Sequence, residues 1–218
     1  MERPGRNEVL ECGLDEAGRG PVIGPMVVAM LCATNSAMRE IGARDSKTLS
    51  PASRERIFQR IRGSASRYSY KIIGVQEINR KMETITLNQI EEEAYVSLIA
   101  QSGCAGTHYV DSFDVNEERL TARLSSLTGK NVLCRHKADA LFPVVSAASI
   151  IAKVVRDSEI EKLKLVYGDF GSGYPSDPRT VAFLERSVVN NADLTDIVRV
   201  HWETYRRLIS RHWTGRLF

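Results

Sequence analysis

The sequence predicts an α/β fold in which a mixed β-sheet is flanked by helices. Three strand-like segments come early in the chain, and strands and helices alternate along the rest of it. One of these segments, MVVAMLCA, is apolar at every position and bounded by turn residues, which is typical of a buried strand. This order of segments favours a mixed sheet with helices around it.

Five strands are predicted along the chain. The first covers residues 8–15 and the second 26–33, and a glycine-rich loop makes a hairpin-like connection between them. The other three are residues 69–76, a short strand within THYVDSF and a strand within 130–139. The expected sheet is therefore five-stranded.

Caps and apolar spacing indicate the helices. Ser50 followed by Pro51 is typical of a helix start, and this helix is predicted to run to about Arg62. A long apolar segment is predicted to be helical up to Gly168, a glycine of the kind that ends helices, and its small residues SAASIIA favour close packing on the sheet. The remaining predicted helices cover 77–101, 116–128, 178–190 and 193–212.

Length and composition exclude several classes of protein. The 218 residues suffice for one large domain, or one domain with a small appendage. No apolar run approaches membrane-spanning length, and the first residues contain no apolar signal region. The four cysteines form no CxxC pair and lie mostly in apolar, strand-like stretches, so we expect reduced core thiols and a cytoplasmic location. They are Cys12, Cys32, Cys104 and Cys134.

Positive charge is concentrated at the C-terminal end. The net charge of the chain is only +3, yet residues 199–218 contain five arginines and one acid, together with Trp202, Tyr205 and Trp213. Arginine interleaved with aromatic residues suits a polyanion. A packed terminal helix with a solvated basic face explains the same pattern equally well. The arginines are Arg199, Arg206, Arg207, Arg211 and Arg216.

The loop after the first strand is not a nucleotide-cofactor loop. Its glycines, in the segment Gly18-Arg19-Gly20, superficially resemble a dinucleotide fingerprint, but that fingerprint requires a helix immediately after the loop. Here the loop leads through Pro21 into a buried strand, and no GxxxxGK[ST] motif is present. A nucleotide-cofactor site is therefore not expected.

Acidic residues stand at the ends of several predicted strands. Asp15 ends the first strand, Asp111 follows the strand YV, and Asp139 follows the strand VLCRHK. Such residues can converge in space, and the resulting cluster favours a divalent cation because like charges raise each other's pKa. Oxygen ligands without histidine or cysteine indicate Mg²⁺ or Mn²⁺. Glu16 can join them only if the strand ends or twists there, because neighbouring strand residues point to opposite faces.

Five collinear motifs resemble ribonuclease HII, the type 2 ribonuclease H, in its archaeal-like single-chain form. They span residues 13 to 180 and therefore cover nearly the whole chain. The motifs are GLDEAGRGPVIGPMVVA, DSKTLS, YVDSFD, HKADALFPVVSAASIIAKVVRD and GSGYPSDPRT.

The resemblance implies a ribonuclease H-like fold, with residues 1–175 as the catalytic domain and 176–218 as a C-terminal helical extension. It implies an endonuclease that cleaves the RNA of RNA–DNA hybrids and ribonucleotides embedded in DNA, with Mg²⁺ or Mn²⁺ as cofactor. The family's catalytic, metal-binding acids correspond to Asp15, Glu16, Asp111 and Asp139. Its 2′-hydroxyl-reading loop corresponds to Gly18, Arg19 and Gly20, and its junction tyrosine to Tyr174.

Several alternatives stay open. Lys47, in RDSKTLS, is a candidate phosphate contact or a solvated loop residue, and Tyr174 is a substrate contact or simply a packed ring. Another nuclease of the superfamily, or a non-catalytic hybrid-binding protein, would show related motifs. A monomer is expected, and a sliding clamp is a weak candidate partner because the terminal TGRLF contains no convincing clamp-binding motif.

Overall fold

The computed structural model describes residues 9–42 and 49–214. The strands in these residues form a mixed sheet. Its strands are β1 Glu11–Ala17, β2 Met26–Ala33, β3 Arg67–Ile73, β4 His108–Asp111 and β5 Val132–Arg135. They are ordered β3-β2-β1-β4-β5. β1 is antiparallel to β2 and parallel to β4, and β4 is parallel to β5, so the predicted mixed five-stranded sheet is confirmed.

Nine helices accompany the sheet in the described residues. They are α1 Asn35–Glu40, α2 Pro51–Ser64, α3 Val75–Lys81, α4 Leu87–Ala100, α5 Glu117–Thr128, α6 Ala138–Leu141, α7 Pro143–Tyr167, α8 Pro178–Val189 and α9 Glu203–Thr214. The predicted caps are present: the Ser50 side chain accepts a hydrogen bond from the Ser53 amide at 3.2 Å, and Gly168 follows α7 with a φ of 79°. None of these helices has the length and apolar composition that a membrane span requires.

Two compact units divide the chain, and they interleave along the sequence. The first comprises the described residues of 1–17, 27–71 and 91–155, and the second comprises those of 18–26, 72–90 and 156–218. In the first unit, the apolar side chains of β2 and α7 form a buried core, with residues such as Val27, Leu31, Val145 and Ile151. A separate buried cluster fills the second unit: Val22, Ile23, Ile160, Phe170, Leu184, Leu194, Ile197 and Val198.

The helix predicted over 77–101 is wrong, because the structure has two helices there. α3 ends at Lys81, and α4 starts at Leu87. Thr86 and Gln89 form a capping box: the Gln89 side chain accepts from the Thr86 amide at 2.9 Å, and the Thr86 hydroxyl accepts from the Gln89 amide at 3.3 Å. This T-x-x-Q pattern is typical of a helix start, and it would have predicted the second helix from the sequence.

The helix predicted over 193–212 is also too long. The helix observed there, α9, starts only at Glu203 and continues to Thr214. The Asp193 carboxylate accepts hydrogen bonds from the amide and the hydroxyl of Thr195, at 3.0 and 2.8 Å. These local bonds replace the helical ones, and Val198 forms an antiparallel bridge with Ile23 instead of continuing a helix. The short helices α1 and α6 were not predicted.

The expectation of four reduced cysteines is wrong for two of them. Cys12 and Cys32 form a disulfide, whereas Cys104 and Cys134 are free and buried. Cys12 and Cys32 are direct partners in the antiparallel β1–β2 pair, with Cα atoms 4.1 Å apart. Opposed residues on such a pair bring their side chains together. The pairing depends on the register of two strands, which cysteine spacing alone does not reveal.

Thiol counting tests this disulfide. We expect the denatured, unreduced protein to react at two cysteines and the reduced protein at all four. The bond closes a segment with a sequence separation of 20, so reduction should lower the free energy of unfolding by about 3 kcal/mol. A Cys12→Ala/Cys32→Ala double variant is the control, since its stability should not respond to the reductant. Four reactive thiols in the unreduced protein would contradict the disulfide.

Candidate active site

A close approach between β1 and the start of α7 sets the geometry around Asp15. A Cβ atom on Gly13 would lie 2.2 Å from the carbonyl carbon of Val144 and 2.3 Å from the Val145 nitrogen. Only glycine leaves room for the helix backbone at this distance from the strand. α7 also carries Ser149, a buried residue whose side chain hydrogen-bonds to Asp15.

Three carboxylates converge in the first unit. Asp15, Asp111 and Asp139 each offer one oxygen atom, and these three atoms lie within 4.8 Å of one another. Asp15 lies near the carboxyl end of β1, Asp111 is the last residue of β4, and Asp139 lies in α6, just after β5. Because β1, β4 and β5 run parallel, their carboxyl ends meet at one edge of the sheet. The convergence predicted from the strand ends is therefore observed for these three acids.

The short helix α6 links two of these acids. Lys137 has a left-handed φ of 56°, which turns the chain after β5 into the helix. The backbone amide of Ala138 then donates a hydrogen bond to Asp111 Oδ1 at 3.0 Å. Asp139 follows directly and is buried, with 5% of its surface exposed. The turn thus orients the Asp111 carboxylate and places Asp139 close to it.

Glu16 is not a member of this group of three carboxylates. β1 continues through Glu16 to Ala17, so the strand does not end at Asp15. The Glu16 carboxylate instead accepts a hydrogen bond from the Tyr95 hydroxyl at 2.7 Å. Burial, followed by the charges of Glu16 and Asp15, raises the pKa of Tyr95, which keeps the phenol neutral and able to donate. A role for Glu16 in metal binding stays a prediction.

The electrostatics of the cluster favour a cation. Burial raises the pKa of Asp15 well above its usual value, and the nearby charges of Glu16 and Asp111 raise it further. A divalent cation among these oxygens would reverse both effects by compensating the negative charge. The three grouped donors are all carboxylate oxygens, which suit Mg²⁺, Mn²⁺ or Ca²⁺ better than zinc. The residues present therefore fit a hard divalent metal ion.

The raised pKa of Asp15 predicts how the metal-free protein responds to pH. The folded chain holds this proton more tightly than the unfolded chain, so the contribution of Asp15 to stability is complete below the ordinary pKa of about 3.9 and is lost as the pH rises through the raised value. Asp15→Asn removes this titration. In EDTA, the stability of the variant relative to wild type should therefore increase as the pH rises above about 4. Urea unfolding at several pH values checks this; a pH-independent difference would contradict it.

The other predicted site residues lie in the second unit or outside the described residues. The Tyr174 ring, which is 40% exposed, lies against Gly20: a Cβ on that glycine would be 3.5 Å from the tyrosine Cε1. The Arg156 guanidinium carbon is 5.5 Å from the centre of the same ring. Arg19 donates from its side chain to Asn88 Oδ1 at 2.5 Å. Lys47 lies outside the described residues.

Sequence reasoning missed several residues around these groups. Tyr95 sits in a helix with no motif to mark it, and Ser149 was noted only as one of a run of small residues. Arg199 was counted with the basic C-terminal residues, yet it is fully buried, so the idea of an exposed polyanion contact is wrong for this arginine. By contrast, Arg206, Arg207 and Arg211 are exposed on α9.

Residues 12–205 match the family model described as Ribonuclease HII. The chain belongs to the ribonuclease HII family. The ribonuclease HII of Picrophilus torridus is 51% identical over 201 residues, which cover 92% of this chain and 98% of the relative. The predicted membership is therefore confirmed, and with it the expectation that the chain is a ribonuclease H enzyme.

Solved structures of ribonucleases HII agree with this membership. The ribonuclease H2 of Pyrococcus horikoshii OT3 matches with a TM-score of 0.87 and 41% identity, over 93% of this chain and 98% of that one. The ribonuclease HII of Archaeoglobus fulgidus, solved as a complex with PCNA, matches with a TM-score of 0.85 and 41% identity, over 89% and 96%. The predicted ribonuclease H-like fold is thus confirmed.

Proposed function

We propose that this chain hydrolyses the RNA strand of RNA–DNA hybrids and cuts on the 5′ side of ribonucleotides embedded in duplex DNA, leaving 3′-hydroxyl and 5′-phosphate ends. The observation that carries the proposal is the convergence of Asp15, Asp111 and Asp139 within 4.8 Å, in a chain of the ribonuclease HII family. Carboxylates repel a phosphodiester, so such a cluster suits phosphate chemistry only together with cations.

The acids have distinct tasks in this proposal. Asp15, Asp111 and Asp139 hold the metal ions, and Glu16 joins them as the fourth acid. Bound Mg²⁺ or Mn²⁺, in a two-metal arrangement, would supply an activated water and stabilise the leaving 3′ oxygen. The hydrogen bonds from Ala138 to Asp111 and from Tyr95 to Glu16 keep two of these carboxylates oriented before substrate arrives.

Recognition of RNA is assigned to the Gly18-Arg19-Gly20 loop and to Tyr174. Discrimination between RNA and DNA must use the 2′-hydroxyl, which DNA lacks. Glycine allows a backbone to approach a sugar closely, and the partly exposed Tyr174 ring beside Gly20 offers an apolar face to a neighbouring deoxyribose. We also propose Lys47 as a phosphate contact, on the basis of its motif alone.

A single digest tests the proposed function. The substrates are a DNA duplex with one ribonucleotide, an RNA–DNA hybrid and an all-DNA duplex, each with Mg²⁺, with Mn²⁺ and with EDTA. We expect cleavage of the first two only, dependent on the metal, with the product ends mapped to the 5′ side of the ribonucleotide. Cleavage of the all-DNA duplex would favour a different nuclease of the superfamily, and binding without cleavage would favour a non-catalytic protein.

Tyr174 provides a test of the junction contact. We expect Tyr174→Ala to lower kcat/KM on a single embedded ribonucleotide by at least about tenfold, since small displacements of the scissile phosphate are costly in rate. Tyr174→Phe keeps the ring and should lose much less. Circular dichroism checks that both variants fold. A folded alanine variant with wild-type kcat/KM would mean that Tyr174 is only a packed ring.

Partners and location complete the proposal. We propose that the enzyme acts as a cytoplasmic monomer in replication and repair of DNA, although the disulfide removes the argument from reduced thiols. A sliding clamp is proposed as a partner because the similar ribonuclease HII of Archaeoglobus fulgidus was solved in complex with PCNA. We also propose residues 1–175 as the catalytic domain and 176–218 as a helical extension.

A further inference from the structure

Arg199 is fully buried, and each nitrogen of its guanidinium donates to a backbone carbonyl of the loop that follows β1. Its Nη2 donates to the Gly18 carbonyl at 2.6 Å, and its Nη1 donates to the Arg19 carbonyl at 3.0 Å. Its Nε donates to the Gly24 carbonyl at 2.9 Å. One side chain therefore holds both ends of the loop.

Backbone pairing fixes Arg199 in this place. The Arg199 amide donates to the Val22 carbonyl at 2.9 Å, and the Gly24 amide donates to the Ile197 carbonyl at the same distance. These two hydrogen bonds pair residues 197–199 with residues 22–24, so the two segments lie side by side. The position of the guanidinium is thus set by the main chain as well as by its own contacts.

Burying this charge is unfavourable on its own. Burial, together with the nearby Arg156, lowers the pKa of Arg199 to about 9, and no described carboxylate contributes to holding its charge. A buried cation that lacks an ionic partner usually destabilises a fold relative to an apolar side chain of similar size. The contacts of Arg199 therefore indicate that its role is to hold the backbone of the loop in one conformation.

Trp202 holds the one remaining carbonyl of the glycine segment. Its indole Nε1 donates to the Gly20 carbonyl at 3.0 Å. The Arg199 guanidinium lies over the indole ring, 4.8 Å from its centre, in a cation–π contact. The two side chains form one unit, which together binds the carbonyls of Gly18, Arg19 and Gly20.

This arrangement determines which face of the loop is available to a ligand. In a trans peptide the carbonyl and the following amide point in opposite directions. Because the Gly18 and Arg19 carbonyls turn towards Arg199, the amides of Arg19 and Gly20 turn away from it. The peptide after Gly20 has no amide hydrogen, because the next residue is Pro21. Two neighbouring amides therefore face away from Arg199, where a sugar hydroxyl or a phosphate oxygen could accept hydrogen bonds from them.

We propose that Arg199 and Trp202 are positioning residues for ribose recognition, which act by holding the carbonyl face of the Gly18–Gly20 loop so that its amide face meets the 2′-hydroxyl of the substrate. This inference rests on the proposed role of the loop in reading the ribose. Neither residue contacts substrate in this proposal; both act through the loop.

Binding preference for a ribonucleotide tests the inference. The probes are a short DNA duplex with one ribonucleotide and the matched all-DNA duplex, with Kd measured by fluorescence anisotropy in EDTA to prevent cleavage. Trp202→Phe keeps the ring under the guanidinium and removes only the donor to Gly20. Arg199→Lys keeps the charge but cannot reach three carbonyls at once. Arg186→Lys, an exposed arginine on α8, is the matched control.

We expect Trp202→Phe and Arg199→Lys to lose at least about tenfold of the preference for the ribonucleotide, while affinity for the all-DNA duplex and the melting temperature of Trp202→Phe stay close to wild type. Arg186→Lys should retain the full preference. If Arg199→Lys does not fold, Trp202→Phe decides the question. A folded Trp202→Phe protein with the wild-type preference would overturn this inference but leave the proposed role of the loop intact. A wild-type protein without any preference would overturn the proposed role of the loop, and this inference with it.

Discussion

Replacing Asp111 by asparagine is expected to lower cleavage of a ribonucleotide-containing duplex by at least about a hundredfold, because one of three converging carboxylates loses its charge. The side-chain oxygen of asparagine can still accept the hydrogen bond that Ala138 donates to Asp111 at 3.0 Å. The turn before α6 should therefore keep its shape, and the variant should fold and bind the hybrid nearly as well as wild type. The loss should appear in kcat, measured with Mg²⁺ at saturating substrate.

Asp114→Asn provides a matched control three residues further along. The Asp114 carboxylate accepts from the Asn116 amide at 2.9 Å and pairs with Arg119 at 2.6 Å, as expected of a turn residue. Its replacement should leave kcat close to wild type. Isothermal titration with Mn²⁺ should show weakened metal binding for the Asp111 variant only. Near-normal cleavage by a folded Asp111→Asn protein would remove Asp111 from the site.

Gly13→Ala is expected to destabilise the protein by about 4 kcal/mol or more, because the added methyl group meets main-chain atoms that have no freedom to move aside. The new Cβ would lie 2.2 Å from the Val144 carbonyl carbon and 2.3 Å from its oxygen. Relieving this overlap requires α7 to move away from β1, which would also displace Ser149 from Asp15. Urea unfolding measures the change in the free energy of unfolding.

Gly63→Ala is the control of opposite sign. Gly63 lies within α2, and no heavy atom lies within 4 Å of the position that its Cβ would take. Alanine there should increase stability by about 0.5–1 kcal/mol, because it favours the helix and restricts the unfolded chain. If Gly13→Ala were to change stability as little as Gly63→Ala does, the close approach of α7 to β1 would be wrong.

Local patterns in the sequence predicted much of this fold. The wholly apolar run 26–33 is β2 to the residue, and the Ser50-Pro51 pair starts α2. Errors arose where local signals competed. The capping box at Thr86 ends what looked like one helix over 77–101, and the Asp193 side chain interrupts the helix predicted over 193–212. Hydrogen bonds of one or two side chains decided these boundaries, against a continuous apolar pattern.

For the candidate site, residue types at the ends of strands were sufficient to nominate Asp15, Asp111 and Asp139, because parallel strands bring their carboxyl ends to one edge. The motifs in order along the chain were sufficient to predict the family. These are properties of one-dimensional order: which residues follow which strand, and how strands alternate with helices.

Tertiary structure alone decided the remaining features. The Cys12–Cys32 bond depends on the β1–β2 register, and the burial of Arg199 depends on a loop 175 positions away that presents its Gly24 carbonyl. The same arginine, read among its charged neighbours, looked like a solvated cation. Register and burial arise from contacts between segments distant in sequence, and no local pattern of charge or hydrophobicity encodes which carbonyl a side chain will meet. The sequence thus determined the family, the mixed five-stranded sheet and the converging acids. Tertiary packing decided which side chains hold the loop that follows β1.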